Sequence, residues 1–131
     1  MGPIPFDGSS VIDVLQQYGI VLILHSDIHN AEGIPSSRIF EAAAASTVII
    51  SDKNPFVEKH FKDSVFYIDT SLSMEEICCQ ILEHLENIYT NPKKAQMMAK
   101  IAHQIFSNNF EMSNQLLALY SLNQKILGNR K

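Results

Sequence analysis

The chain has 131 residues, 46% hydrophobic and 18% charged, which supplies apolar material for one core, argues against two independently cored domains and excludes the composition of a disordered chain. Ten Lys and Arg stand against fourteen Asp and Glu, a formal charge of -4. The only adjacent basic pairs are Lys93-Lys94 and Arg130-Lys131, which excludes the clustered basic footprint of a nucleic-acid-binding protein.

Residues 2–10 hold two prolines, two glycines and an Asp-Gly pair, the composition of a loop, and Ser9-Ser10 offer an N-cap to a helix running from Ser10 to about Tyr18. Gly19 suits a helix C-terminus, and Ile20 to Leu24 follows as a continuous aliphatic run, which predicts a strand buried on both faces of a parallel sheet. His25 to Ser37 is polar and flexible, a loop at that strand's carboxyl end. Pro35-Ser36-Ser37 then caps a short helix of small residues, Arg38 to Ala45, built to lie close to a sheet. Thr47 to Ser51 predicts a second buried strand, Phe56 to His60 a short helix, and Val65 to Asp69 a third strand. From Ser73 the spacing turns helical, with a capping region at Ser73, Glu75 and Glu76, and helices to about Tyr89, from Pro92 to about Asn108 and from about Glu111 to Leu127. The expected class is α/β: an open parallel sheet of about three to four strands with helices on both faces (about residues 1–72) and a helical C-terminal tail (about 73–131). Doubly wound domains usually carry five or six strands, so the chain reads as one domain, the later part of a larger one.

In an open α/β sheet ligands bind beyond the carboxyl ends of the strands, which singles out His25 to Ser37 and the helix start at Ser36. Free N–H groups at that helix start suit a phosphate, Gly33 permits close backbone approach, and Arg38 in the first turn adds positive charge. Glu32 and Glu41 are carboxylates able to accept from sugar hydroxyls, Glu41 one turn beyond Arg38. His25, at the strand end, reads as a hydrogen-bonding wall of the pocket.

Glu32-Gly33-Ile34-Pro35-Ser36-Ser37-Arg38-Ile39-Phe40-Glu41-Ala42-Ala43-Ala44-Ala45-Ser46-Thr47-Val48-Ile49-Ile50-Ser51-Asp52 resembles the donor-binding signature of GT-B glycosyltransferases. It is most similar to the group-1 C-terminal domain of the spore-maturation type, in which Pro-Ser-x-Arg-Ile-Phe-Glu-Ala precedes a strand ending in Ser-Asp. The likeness extends from a Gly2-Pro3-Ile4-Pro5 loop through Val65 to Asp69 and the helical tail. The resemblance implies a Rossmann-like half holding a nucleotide-diphosphate sugar as substrate, with no metal and no further cofactor. It implies an acceptor-binding N-terminal half elsewhere in the protein, no catalytic residue in this stretch and retention of the sugar's configuration. Glu41 matches the carboxylate that contacts the ribose. Glu32 matches the one that contacts the donor sugar, although eight residues separate the two where the family has seven, so Asn30 or Asp27 stands beside it as a candidate. Ser36 and Ser37 fall where backbone N–H groups meet the diphosphate, and Arg38 replaces a basic residue that the family carries upstream. Ser46 stands where the family often has Gly, so the turn into the second strand is expected to be tighter or rearranged.

Simpler readings stand beside these. Arg38 and Glu41, three apart on a helix, form a surface ion pair without any ligand. His25 and His29 are four apart but lack a third metal ligand at recognisable spacing. His60, His84 and His103 read as surface or helix-packing residues. Met97-Met98, Met112 and Phe106 read as packing, and so does one of Cys78 and Cys79, which are too close to bridge and fit a reducing compartment. No apolar run approaches the ~20 residues needed to cross a bilayer, and Met1 is not followed by a signal segment. A cytoplasmic protein without a transmembrane segment is expected, with peripheral membrane association and self-association left open. The competing function is a non-catalytic α/β interaction module derived from a transferase domain.

Overall fold

A computed structural model describes residues 4, 5 and 7–128; Gly2, Pro3 and the Arg130-Lys131 pair lie outside the described residues. Three parallel strands, β1 (Ile20–Ile23), β2 (Val48–Asp52) and β3 (Phe66–Ile68), form one sheet in the order β1-β2-β3, with Ile20 opposite Val48 and Ile50 opposite Phe66. The helices are α1 (Ser10–Tyr18), α2 (Asp27–Glu32), α3 (Ser37–Ala44), α4 (Pro55–Phe61), α5 (Met74–Thr90), α6 (Pro92–Asn109) and α7 (Met112–Gly128), with a single 3-10 turn at Lys62–Ser64 after α4. This is the α/β class read from the sequence, with three strands among the described residues.

Alternation of side chains along β2 divides the core in two. Ile49 joins Ile23, Ile39, Ala42 and Ala43 of α3, and Val57 and Phe61 of α4. Val48 and Ile50 join Phe66, Ile68 and Ile88 of α5 on the other face. Helix α6 serves both layers, giving Ala102 to the first cluster and Ala95 and Ala99 to the second. The alanines of α3 and α6 therefore do what small residues do in close packing: they bring helix backbones near their neighbours, and Ala42 and Ala43 are fully buried.

Strand β1 departs from expectation. Every residue of β2 is buried, but Ile20 and Leu22 of β1 are 36% and 46% exposed. These two pair with Val48 and Ile50 and so share the face that α5 and α6 cover, but that cover stops short of β1. An aliphatic run reports apolar neighbours on both faces only if helices reach both faces, and strand order decides that. Three smaller expectations are also corrected. Ser9 holds the N-cap position of α1 but its side chain makes no capping bond; the Asp7 carboxylate does, its Oδ1 accepting from the Ser9 and Ser10 N–H groups and its Oδ2 from the Ser10 hydroxyl, and these bonds hold its carboxyl down at about 2. Cys78 and Cys79 are both exposed. Met97 and Met112 are exposed as well, and α7 buries none of its residues, packing mainly along α6. The capping region before α5 is a full capping box between Ser73 and Glu76.

The turn from α3 into β2 places Ser46 in the left-handed region at φ 55. Ser46 N–H donates to the Ala43 carbonyl and Thr47 N–H to that of Ala42, which is a Schellman closure with a non-glycine residue at its left-handed position. Ser46 thus occupies the conformation glycine prefers. An L-residue there costs about 1–2 kcal/mol, partly offset by the greater unfolded freedom of glycine, about 0.5–1 kcal/mol. Ser46 is exposed, so Ser46→Gly should stabilise the domain by about 0.5–1 kcal/mol, read as a rise of a few degrees in Tm.

Candidate functional site

The segment after β1 is more ordered than its composition suggests. Ser26 caps α2 by accepting from the His29 N–H, and Gly33 ends it at φ 63 with Ile34 N–H donating to the His29 carbonyl. A Cβ at Gly33 would meet nothing closer than 3.8 Å, so glycine is required there by φ rather than by space. This folding turns Asn30 inward, toward Asp52 at the carboxyl end of β2.

Asp52 is the hub of a buried polar network. Its Oδ2 accepts from Asn30 Nδ2 at 2.7 Å and from the His25 backbone N–H at 3.2 Å, and its Oδ1 lies 2.6 Å from His25 Nδ1. Both side chains of the His25–Asp52 pair are shut off from solvent. Burial alone would raise the Asp52 pKa, but hydrogen bonds from the Asn30 and His25 side chains and the His25 backbone N–H outweigh it and hold the carboxyl below its ordinary value. Asn54, also fully buried, continues the network: its Nδ2 donates to Asn30 Oδ1 at 3.0 Å, the Ile34 carbonyl at 3.2 Å and the His29 carbonyl at 3.4 Å. Its Oδ1 accepts from the Phe56 and Val57 N–H groups at the start of α4. The ends of β1 and β2, α2, the segment leading to α3 and the start of α4 are thereby fastened together.

Beside this network, α3 begins with its own cap. Ser36 Oγ accepts from the Arg38 N–H, so the Ser36 hydroxyl is committed to the helix, and its contribution toward an anion comes through the backbone. Arg38 donates to Glu41 Oε2 at 2.9 Å across one helical turn. The Arg38 side chain is 60% exposed, so the pair itself contributes only about 0.2–0.5 kcal/mol. What distinguishes it is its place. Arg38 and Glu41 line one side of a cleft of about 340 Å³ whose other wall is Ile4, Pro5, Gly8, Val11 and Ile12, from the loop before α1 and from α1 itself. One end of the cleft carries charge and hydrogen-bonding capacity and the other is apolar.

A glycosyl transferase-like family model matches residues 4–120. The chain belongs to that family. No curated protein and no solved structure gives a match.

In this glycosyl transferase-like domain the residues singled out by sequence fall into two neighbouring groups. Arg38 and Glu41 share the cleft, with Ser36 and Ser37 at the start of their helix. His25 and Asn30 belong to the buried network, Asn30 as a structural tie. Glu32 is exposed on the last turn of α2, as is Asp27 on its first, and Gly33 closes that helix. Asp52 and Asn54 are the residues that sequence reasoning missed as site members. Asp52 is visible in the sequence only as the end of a strand and Asn54 only as the residue before Pro55. An Asp followed two residues later by Asn-Pro, at the end of an apolar strand, was the available signal. Among the described residues no group of three or more His, Cys, Asp or Glu is gathered as a metal site would require, and no helix is long and apolar enough to cross a membrane. His84 and His103 fasten elements, bonding to the Tyr67 and Ala43 carbonyls.

Proposed function

We propose that this domain binds a nucleotide-diphosphate sugar and is the donor-binding part of a glycosyltransferase of the GT-B group-1 type, of the spore-maturation-like branch. The acceptor would then be held by another part of the protein. The observation that carries this reading is the cleft in which Arg38 and Glu41, at the first turns of α3, face the apolar wall of Ile4, Pro5, Val11 and Ile12. A nucleoside needs both features, an apolar surface for a flat base and a carboxylate for the vicinal hydroxyls of ribose. The start of α3 supplies the third, since the positive end of its dipole favours the diphosphate. In sugar transfer the leaving diphosphate gains negative charge, and preorganised donors stabilise such charge without reorganising. Arg38 adds to that field once a ligand draws it away from Glu41. Family membership agrees with this assignment and does not by itself name the ligand.

The test is a titration of the isotope-labelled chain with UDP, GDP, ADP and dTDP at millimolar concentration, followed by heteronuclear NMR. Saturable shifts at 4–12 and 34–41 with one base preferred are expected; a folded spectrum that none of the four perturbs rejects the donor site. Glu41→Ala should weaken the preferred nucleotide by about 1–3 kcal/mol, the value of a lost charged hydrogen bond, with thermal stability changed by less than about 0.5 kcal/mol because the partly exposed ion pair holds so little.

One structural observation favours the competing interaction module: α7 and the outer part of β1 present Leu116, Leu117, Leu119, Leu122, Leu22 and Ile20 to solvent. Under that reading Glu41→Ala changes nothing, while sedimentation shows concentration-dependent association.

A further inference from the structure

The network around Asp52 leaves one atom unmatched. Among the described residues, His25 Nε2 is the single buried side-chain nitrogen or oxygen without a hydrogen-bond partner. Every other polar atom named in the network is paired, several of them to more than one group. Orphaned buried polar atoms are uncommon because they forfeit water and gain nothing in return, so each calls for a partner such as a water, an ion or a ligand group.

The chemistry of the missing partner follows from the other side of the ring. An ionised carboxylate can only accept, so the 2.6 Å contact with Asp52 requires the proton on Nδ1. In the neutral ring Nε2 is then a lone pair, and only an O–H or N–H group satisfies it. A phosphate oxygen, an acceptor itself, does not. We propose that His25 recognises the donor sugar, its Nε2 accepting a hydrogen bond from a sugar hydroxyl while Asp52 holds the ring in the required tautomer. This rests on the nucleotide-sugar reading above and adds the residue that separates a nucleotide sugar from its bare nucleoside diphosphate.

The position fits the role. His25 stands at the carboxyl end of β1, and Asp52, Asn30 and Asn54 connect it to Ile34, immediately before the segment that caps α3. Because the ring is closed to solvent, a hydroxyl reaches Nε2 only when neighbouring chain shifts.

His25→Asn tests the assignment, since the shorter amide can still donate to Asp52 from near the Nδ1 position but has nothing in place of Nε2. Binding of UDP, GDP, ADP and dTDP is compared with that of UDP-glucose, GDP-mannose, ADP-glucose and dTDP-glucose by calorimetry, on the whole chain and on the variant. The wild type should bind one nucleotide sugar several-fold more tightly than its own diphosphate, and His25→Asn should abolish that margin while leaving diphosphate affinity within twofold. Long-range nitrogen-detected NMR of the wild-type ring should show the Nδ1–H tautomer, with the Nε2 resonance moving on addition of the nucleotide sugar and not of the diphosphate. This measurement decides the matter even if the variant does not fold. Equal losses for both ligand types, no margin in the wild type, or an Nε2–H tautomer overturns the role of His25 and leaves the donor site standing. Absence of binding by all eight compounds overturns both.

Discussion

Replacing Asp52 with Ala should cost the domain about 3–5 kcal/mol, since each buried donor left unmatched costs about 1–3 kcal/mol. The substitution leaves the His25 backbone N–H, the His25 ring N–H and the Asn30 amide without an acceptor in a place water does not reach. Set against a typical total of about 5–15 kcal/mol for a domain of this kind, this is a large share. Urea denaturation followed by circular dichroism should show the midpoint falling steeply with the slope retained; a shift worth less than about 1 kcal/mol would mean that the network is replaceable. The same residue predicts an acid limb. Its carboxyl lies below the ordinary value in the folded chain, so the folded state binds this proton less readily than the unfolded state does. The corresponding stabilisation is fully present above the unfolded value of about 4 and is lost as pH falls through the folded value. Wild-type stability should therefore decline below about pH 4, and Asp52→Asn, which has no such proton to bind, should show a shallower decline over that range from a lower starting stability.

Asn54→Ala is the second large effect. It removes the cap of α4 and, at the same time, the donor shared by the His29 and Ile34 carbonyls and Asn30 Oδ1. Loss of a cap costs about 0.5–2 kcal/mol and burial of unmatched polar groups about 1–3 kcal/mol, so a total near 2–4 kcal/mol is expected. Thermal denaturation measures the total, and amide exchange measures where it falls. Protection should drop at Phe56 and Val57 and along residues 29–34 together, because one side chain serves both. Protection lost only at α4 would show that the loop before α3 is held by something other than Asn54. Asp52 and Asn54 both act on Asn30, so the double variant should cost less than the sum of the two single variants.

These two residues also mark how far the sequence could be read. The helix and strand order apart from α2, the caps at Ser36 and Ser73, and the small-residue faces of α3 and α6 all depend on neighbours a few positions away, and the structure reproduces them. The charged side of the cleft was legible for the same reason, since Arg38 and Glu41 lie one turn apart. Its apolar wall was not, because Ile4 and Val11 meet Arg38 only after α1 packs on α3. The polar stretch after β1 was misread as a plain loop because six residues between Ser26 and Gly33 give too short a run for a periodic signal.

What the sequence by itself determined is the class of the fold, the family likeness carried by the 32–52 stretch, and the placement of an anion-favouring helix start next to a carboxylate. Those follow from composition and from local spacing. Only the tertiary structure decided that β1 lies at an edge with one face partly bare, and that α7 gains almost no cover. It alone decided that Asp52, Asn54, Asn30 and His25 form one network. The physical reason is the same throughout. Burial and hydrogen-bond pairing belong to the arrangement of elements in space, and His25 and Asp52, 27 positions apart along the chain, meet only because two parallel strands end side by side.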